Sequence, residues 1–487
     1  MIAAYSVDDV RGAEESAMAT LPEGELMSRA SRGLAAVAAA RLRARGGSRV
    51  VALTGAGNNG ADALYAVARL ATEGFTATAV TAAAGVHEGS RRAAVESGAT
   101  VLGADDPRWR SLLEGADLVL DGITGIGGRP GLSGEGRRWV DAVPPGAWVI
   151  AVDLPSGTDP SGEQHSDSSV FADETVTFAA PKPVHLLPVT EPAVGRLTVI
   201  DIGLDVTPYR PAVERLTHDD VARLWPVPAA GDDKYSRGVV GIVAGSLTYP
   251  GAGVLSVLGC LGAGPGMVRF LGPAAVHPLV HLHAPEAVTT DGRVQAWVVG
   301  SGWDPTDDSG DGVEQRRRVE AALASDLPVL ADAGALALVG PRAAPTLLTP
   351  HAGELADLLT RLGEQEVTRA EVTREPLRHA REAADRTGAT VLLKGWNTLV
   401  VPPPSSHRAI RSQADAPAWL ATAGAGDVLG GVIGTLLAAG LDPVDAGSVG
   451  ALVHGVAADR TNPGGPVRAR DLAHGIPAAV AALLARR

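Results

Sequence analysis

The sequence predicts an α/β protein, and three observations carry that reading: apolar runs ending in glycine-rich loops, alanine-rich helical stretches between them, and few aromatic residues. The runs Arg49 to Thr54, Leu118 to Asp121 and Trp148 to Val152 each end in a polar, glycine-bearing loop. Continuous rather than alternating apolar character is what a strand covered on both faces needs, so parallel sheets are expected. Phe, Trp and Tyr make up only 3% of the 487 residues. The abundant Ala, Val, Leu and Gly suit close packing of helices on a sheet better than an aromatic-rich β-sandwich.

The elements follow in order. Arg49 to Thr54 is a strand, Gly55-Ala56-Gly57-Asn58-Asn59-Gly60 a tight turn, and the alanine-rich stretch to about Glu73 a helix. Phe75 to Ala82 is β-compatible and Gly89 to Ser97 helical. The strands Leu118 to Asp121 and Trp148 to Val152 lead into further polar loops, the second being Asp153-Leu154-Pro155-Ser156-Gly157. Ligands of such sheets bind beyond the strand C-termini. After strands at Glu174 to Phe178 and Leu197 to Ile200 comes a proline-rich region with Pro208, Pro211, Pro226 and Pro228, and the domain boundary is placed there, giving domains 1–215 and 216–487. A second alternation starts with Val239 to Gly245 and a helix from about Gly253. Strands near Val298 and Val329, a helix after His351, a strand at Val391 to Lys394 and a final glycine loop with a long helix complete it. One hydrophobic core rarely serves so long a chain, so two domains are expected.

Composition removes several function classes. With 55 acidic and 42 basic residues the formal charge is −13, and no Lys/Arg block is long enough to track a nucleic-acid backbone. The most apolar stretch, Leu429 to Leu441, contains four glycines and is well short of the ~20 residues of a membrane span. No nucleic-acid or membrane partner is expected. The single cysteine, Cys260, suits a reducing compartment. The opening Met1 to Tyr5 followed by Asp8, Asp9, Glu14 and Glu15 lacks the pattern of an export signal, so the expected location is cytoplasmic.

The chemistry is concentrated in the loops. In Gly424-Ala425-Gly426-Asp427-Val428-Leu429, small residues open an apolar helix, leaving backbone N–H groups and the positive end of the helix dipole to face an anion. At that position Asp427 can take the proton from an attacking hydroxyl while the N–H groups stabilise a transferring phosphoryl group. Lys394-Gly395-Trp396-Asn397-Thr398 follows an apolar strand, where a turn places a cation and backbone groups near a nucleotide. Thr349-Pro350-His351-Ala352-Gly353-Glu354 puts His351 towards substrate and Glu354 near a hydrated divalent cation. Lys234 to Gly238 is read as a flexible cover supplying positive charge.

Taken in order, Lys234 to Gly238, Ala244-Gly245-Ser246, Tyr249 to Ala252, Gly264-Pro265-Gly266-Met267-Val268-Arg269, Thr349 to Glu354 and Gly424 to Leu429 resemble the ADP/ATP-dependent NAD(P)H-hydrate dehydratases of the ribokinase-like superfamily. The resemblance covers about Leu216 to the C-terminus. Gly55 to Asp62, Asp121-Gly122-Ile123-Thr124-Gly125-Ile126-Gly127 and Asp153 to Gly157 resemble three motifs of the NAD(P)H-hydrate epimerases, within residues 1–215. The implied architecture is a Rossmann-like α/β/α domain followed by a ribokinase-like α/β/α domain.

The resemblance implies repair of NADHX and NADPHX, the hydrated forms of the reduced nicotinamide nucleotides, with R and S forms interconverted by the first domain and the S form dehydrated by the second. ADP is the implied phosphoryl donor, with magnesium bridging its phosphates through water and nucleotide oxygens; the residues themselves leave ADP and ATP both open. Implied substrate contacts are Asn58, Asn59, Gly60, Ala61, Asp62, Gly125, Ile126, Gly127, Gly128, Arg129 and Asp153 in the first domain. In the second they are Gly253, Gly302, His351 and Asp427, with Lys394, Gly395, Trp396, Asn397, Thr398 and Gly426 at the nucleotide. Asp427, Asp153 and Lys182 are the implied catalytic groups. Asn59, Asp121 and Ser156 offer hard oxygen ligands to an alkali cation, which the resemblance makes potassium. Related enzymes often assemble as homo-oligomers, and no pattern in the sequence identifies an interface.

Four departures from the family pattern stand out: Ala61 and Ala63 replace glycines, Ala425 replaces a threonine, Gly334 replaces an aspartate, and Ser301-Gly302-Trp303 replaces a more glycine-rich loop. The methyl groups of Ala61 and Ala63 are expected to crowd a backbone approach, whereas Ala425 loses a hydroxyl and keeps its N–H. The anion loop and Asp427 would serve equally a vitamin or sugar kinase, and the first domain would then be a noncatalytic nucleotide-binding module.

Overall fold

The computed structural model describes residues 1–82, 85–363 and 365–487. The chain forms two compact units, Ala3–Val213 and Glu214–Arg487, with Met1–Ile2 belonging to the second. Both are α/β, as the apolar runs predict.

The N-terminal unit is built on a seven-stranded sheet ordered Thr100–Gly103, Thr76–Thr81, Arg49–Thr54, Leu118–Gly122, Trp148–Val152, Glu174–Phe178, Arg196–Ile200, with every pairing parallel. The strand Arg49–Thr54 shows why the runs are continuously apolar. Val50 and Ala52 enter a core under the helices Glu25–Arg45 and Asn58–Thr72, whereas Val51 and Leu53 enter a second core with Trp109, Leu113 and Trp139. Both faces are thus buried, giving an α/β/α sandwich. The chain order reverses between Arg49–Thr54 and Leu118–Gly122, where the loops leaving the two strands diverge and open a crevice.

In the C-terminal unit the parallel strands run Met267–Phe270, Val239–Val243, Ala296–Val299, Val329–Ala331, Thr346–Leu348, Thr390–Leu393. Thr398–Val401 and Ile410–Gln413 extend the sheet antiparallel. One core is made by the helices Pro250–Gly262, Ala425–Ala438, Pro443–Thr461 and Ala469–Leu484 packing beside one another and on the sheet. Cys260 is wholly buried in it, and burial pushes its thiol up to about 12, so it is an inert structural thiol. Among the described residues no helix is long and apolar enough to cross a membrane.

Candidate active sites

In the N-terminal unit a cleft of about 650 Å³ opens at the topological switch point. It is lined by Asn58, Asn59, Asp62, Gly125, Ile126, Gly127, Gly128, Asp153 and Lys182 from the implied set, joined by Arg11 and Glu14 of the helix Val7–Met18. Gly60 and Ala61 lie buried in the first helical turn behind this lining, and Arg129 is exposed outside it. The Ala61 N–H is committed to Gly57 O at 3.2 Å. Ala61 and Ala63 are 1% and 0% exposed, and neither lines the cleft. The methyl of Ala63 packs inward among core side chains.

Beneath the floor, Asn59 Nδ2 donates to Thr124 O at 2.9 Å and Val152 O at 2.7 Å, which leaves its Oδ1 uncommitted by these bonds. Asp121 accepts from Ser156 Oγ at 2.6 Å and from Ser156 N at 2.8 Å. Burial raises the Asp121 carboxyl to about 6, against the lowering effect of the Ser156 bonds. The three residues implied as potassium ligands therefore gather around the Thr124 backbone. Their oxygen chemistry fits an alkali cation, which takes hydroxyl, amide and carboxylate oxygens.

Asp153 stands at φ 65°, a conformation that L-residues rarely adopt. Its Oδ1 accepts from Lys182 Nζ at 2.5 Å and Thr177 Oγ1 at 2.8 Å, and Lys182 Nζ also donates to Thr177 Oγ1 at 2.9 Å. Lys182 is 2% exposed, so it is a buried ion-pair partner rather than a surface lysine. Burial pushes the Asp153 carboxyl up, but the charge and hydrogen bond of Lys182, helped by His185 and Thr177, hold it below the ordinary carboxylate range. His185 Nδ1 accepts from Lys182 N at 2.9 Å, so its Nε2 carries the proton and donates to Asp153 O at 2.8 Å. Burial, reinforced by Lys182, lowers this imidazole to about 4 and keeps it neutral.

In the C-terminal unit the loops after successive parallel strands converge. Ser301 follows Ala296–Val299, Asp332 follows Val329–Ala331, Thr349 follows Thr346–Leu348 and Lys394 follows Thr390–Leu393. Asp332 accepts from Lys394 Nζ at 2.8 Å, Thr349 Oγ1 at 2.9 Å and Ser301 Oγ at 3.0 Å. Across from this group Asp427 lies in the first turn of the helix Ala425–Ala438, whose leading N–H groups have no intrahelical acceptor. Gly424 turns the chain at φ 87°, and a Cβ there would lie 2.5 Å from Leu255 Cδ1, so the loop needs glycine. Burial and then the charge of Asp332 push the Asp427 carboxyl up to about 7, despite Lys394.

His351 caps the helix Ala352–Leu362: its Nδ1 accepts N–H from Gly353 and Glu354, both at 3.1 Å, while Glu354 Oε2 accepts from His351 N at 2.8 Å. The imidazole remains exposed, and Glu354 Oε2 is 3.6 Å from Lys394 Nζ. Gly395 and Trp396 are exposed, but Asn397 is buried, accepting from Ser412 Oγ at 3.1 Å inside the antiparallel strands. Gly253 is buried in the helix Pro250–Gly262, and Gly302 turns at φ 65°. Ala425 is 5% exposed and its methyl joins the core. Gly334 is sterically fixed, since a Cβ there would meet Trp303 O at 2.2 Å.

Lys234 to Gly238 does not cover this site. It precedes the strand Val239–Val243, at the opposite end of the sheet, and Gly238 packs against Ala438 at the C-terminal end of the helix whose other end holds Asp427. A 14-residue helix separates them, roughly 20 Å at 1.5 Å per residue.

Residues 240–477 match the family model described as NAD(P)H-hydrate dehydratase, and residues 23–184 match YjeF-related protein N-terminus. The bifunctional NAD(P)H-hydrate repair enzyme Nnr of Mycobacterium tuberculosis is 41% identical over 460 residues, covering 91% of this chain and 90% of its own length. The chain belongs to the bifunctional NAD(P)H-hydrate repair enzymes. A family member from Mycobacterium leprae is 40% identical, with 93% of each chain covered. The crystal structure of ADP/ATP-dependent NAD(P)H-hydrate dehydratase from Bacillus subtilis, co-crystallised with ATP and Mg2+, is 27% identical and matches with a TM-score of 0.50, over 56% of this chain and 99% of that one. Family membership embraces both halves, and each half carries its own cleft or convergent loop set.

Proposed function

We propose that this chain repairs hydrated nicotinamide nucleotides, with residues 1–215 interconverting R- and S-NAD(P)HX and residues 216–487 converting the S form with ADP to NAD(P)H, AMP and phosphate. The observation that carries the proposal is the 41% identity to a bifunctional repair enzyme across 91% of the chain. The site chemistry supports it. The first-turn N–H groups at Gly426 and Asp427 suit the phosphoryl group being transferred, and Lys394, braced by Asp332, suits the donor phosphates. Asp427 takes the proton of the ring hydroxyl as its oxygen bonds to phosphorus and AMP leaves. The ring C–O bond then breaks, driven by the nitrogen lone pair, and phosphate departs. Loss of a proton from the adjacent carbon restores the double bond. Phosphorylation turns a poor leaving group into a good one, so the protein mainly supplies position and electrostatics.

Glu354 would help to hold a hydrated magnesium ion, which would supply positive charge to the donor phosphates. Asn59, Asp121 and Ser156 are the proposed holders of potassium, which would bring positive charge beneath the epimerase cleft. The proposed compartment is the cytoplasm.

The test is incubation of purified protein with mixed R- and S-NADHX, ADP and magnesium, following NADH absorbance. Full conversion faster than spontaneous epimerisation is expected. A halt after the S fraction would confine activity to the C-terminal half, and a stable phosphorylated product without NADH would sink the repair reading in favour of a kinase.

A further inference from the structure

The N-terminal cleft holds two aspartates in opposite surroundings. Asp153 is braced by Lys182, Thr177 and His185, and is held as a carboxylate. Asp62, 8% exposed, lines the same cleft, yet its buried Oδ1 has no hydrogen-bond partner. Among the described residues no cation pairs with it. Lys182 is committed to Asp153 and Thr177, and Arg11 leans on Asp8 and on Ile126 O. The charged groups that bear on Asp62 are Asp153 and Glu14, both acidic. A buried carboxylate without donors or a cation is costly, and the group keeps its proton instead. Burial first, then these two charges, push the Asp62 carboxyl well above its ordinary range.

We propose that Asp62 is the general acid of the epimerisation and Asp153 the matching base, an assignment that rests on the epimerase reading of this cleft. Two carboxyls whose surroundings drive their proton affinities apart are the usual physical basis for such a division of labour. The neutral Asp62 carboxyl gives its proton to the ring hydroxyl as the C–O bond breaks and water leaves, while the ring nitrogen lone pair forms the C=N bond of an iminium. A solvent water adds to the opposite face, its oxygen bonding to the same carbon and the C=N pair returning to nitrogen. The proton released goes to Asp153. The two carboxyls end with exchanged protonation, which is the starting state for the reverse conversion, and exchange with solvent resets it.

Epimerisation is measured without ADP, by following R and S peaks of NADHX in wild-type protein and Asp62→Asn. Asparagine matches the neutral acid in size and can donate a hydrogen bond but cannot deliver the proton. The expected result is a fall in kcat of about 10²–10⁴-fold, with KM little changed and the alkaline decline of the wild-type profile removed. Wild-type kcat in the variant, or a change confined to KM, overturns the role and leaves Asp62 a binding residue. Wild-type protein that does not accelerate epimerisation refutes the epimerase reading itself. A second readout needs no variant: in ¹⁸O-water each enzymatic epimerisation should install one solvent oxygen on the ring, and retention of the original oxygen overturns C–O cleavage.

Discussion

Lys394 Nζ donates to Asp332 Oδ1 across 2.8 Å, and this one contact ties together two strand-end loops of the C-terminal candidate site. Burial alone would lower the lysine, but the charges of Asp332 and Glu354 raise it above its usual value. Lys394 therefore stays charged and held in place.

Removing the brace should cost turnover. Asp332→Asn keeps the shape but frees Lys394 and removes a negative charge beside Asp427. Dehydration kcat/KM is expected to fall by about 10²-fold, the scale of misplacing a catalytic group by an ångström. The acidic limb of its pH profile should also move to lower pH, because Asp332 helps to raise Asp427. An unchanged profile would deny the coupling.

Asp427 itself sets a pH dependence. As the proposed base it would act only when ionised, and its carboxyl is held at about 7. Dehydration kcat/KM should rise roughly tenfold per pH unit below that value and level off above it. The same shift bears on stability: the unfolded chain releases this proton near pH ~3.9, so the folded unit loses stability as pH rises from there through about 7. Asp427→Asn should be inactive yet more heat-stable than wild type at pH 8, as differential scanning calorimetry would show.

Lys182→Met would strand Asp153 as a buried carboxylate without its cation. Breaking such a pair costs about 3–5 kcal/mol, visible as an earlier denaturation of the N-terminal unit in guanidinium. The double variant Asp153→Asn/Lys182→Met should recover part of that loss. In wild type the Asp153 contribution is present above the unfolded carboxyl value and is lost as pH falls through its depressed folded value.

Potassium dependence is open to direct measurement. Epimerisation in tetramethylammonium buffer should be slow and recover on adding KCl. In Ser156→Ala, which removes an oxygen bonded to Asp121 at 2.6 Å, recovery should need a higher potassium concentration. Equal rates with and without the cation would argue against the assignment.

The parallel sheets were legible because strands buried on both faces must be apolar throughout, and Trp148–Val152 and Glu174–Phe178 fall where the sequence puts them. The short strands Thr398–Val401 and Ile410–Gln413 were not anticipated, since four residues carry too little pattern. Asp332 escaped notice although it follows an apolar run, the same signal that marked Asp153; only its three donors reveal its task. Glu14 and Arg11 were illegible as cleft residues because the topology brings a distant helix to the switch point. His351 was read as facing substrate although a lone histidine there is more often a cap, and the structure shows the capping bonds with the ring still exposed. Lys234 was misplaced because a motif's position in sequence does not say at which end of a strand it lies.

Gly334 and Trp303 bear on ancestry. With the Trp303 carbonyl 2.2 Å from where a Cβ at 334 would stand, the aspartate that the family resemblance implies at this position does not fit unless the Trp303 backbone moves. The two departures are entrenched together: Gly334→Asp alone should damage this chain, and a graft of the relatives' residue is viable only if the loop from Ser301 to Trp303 is exchanged with it.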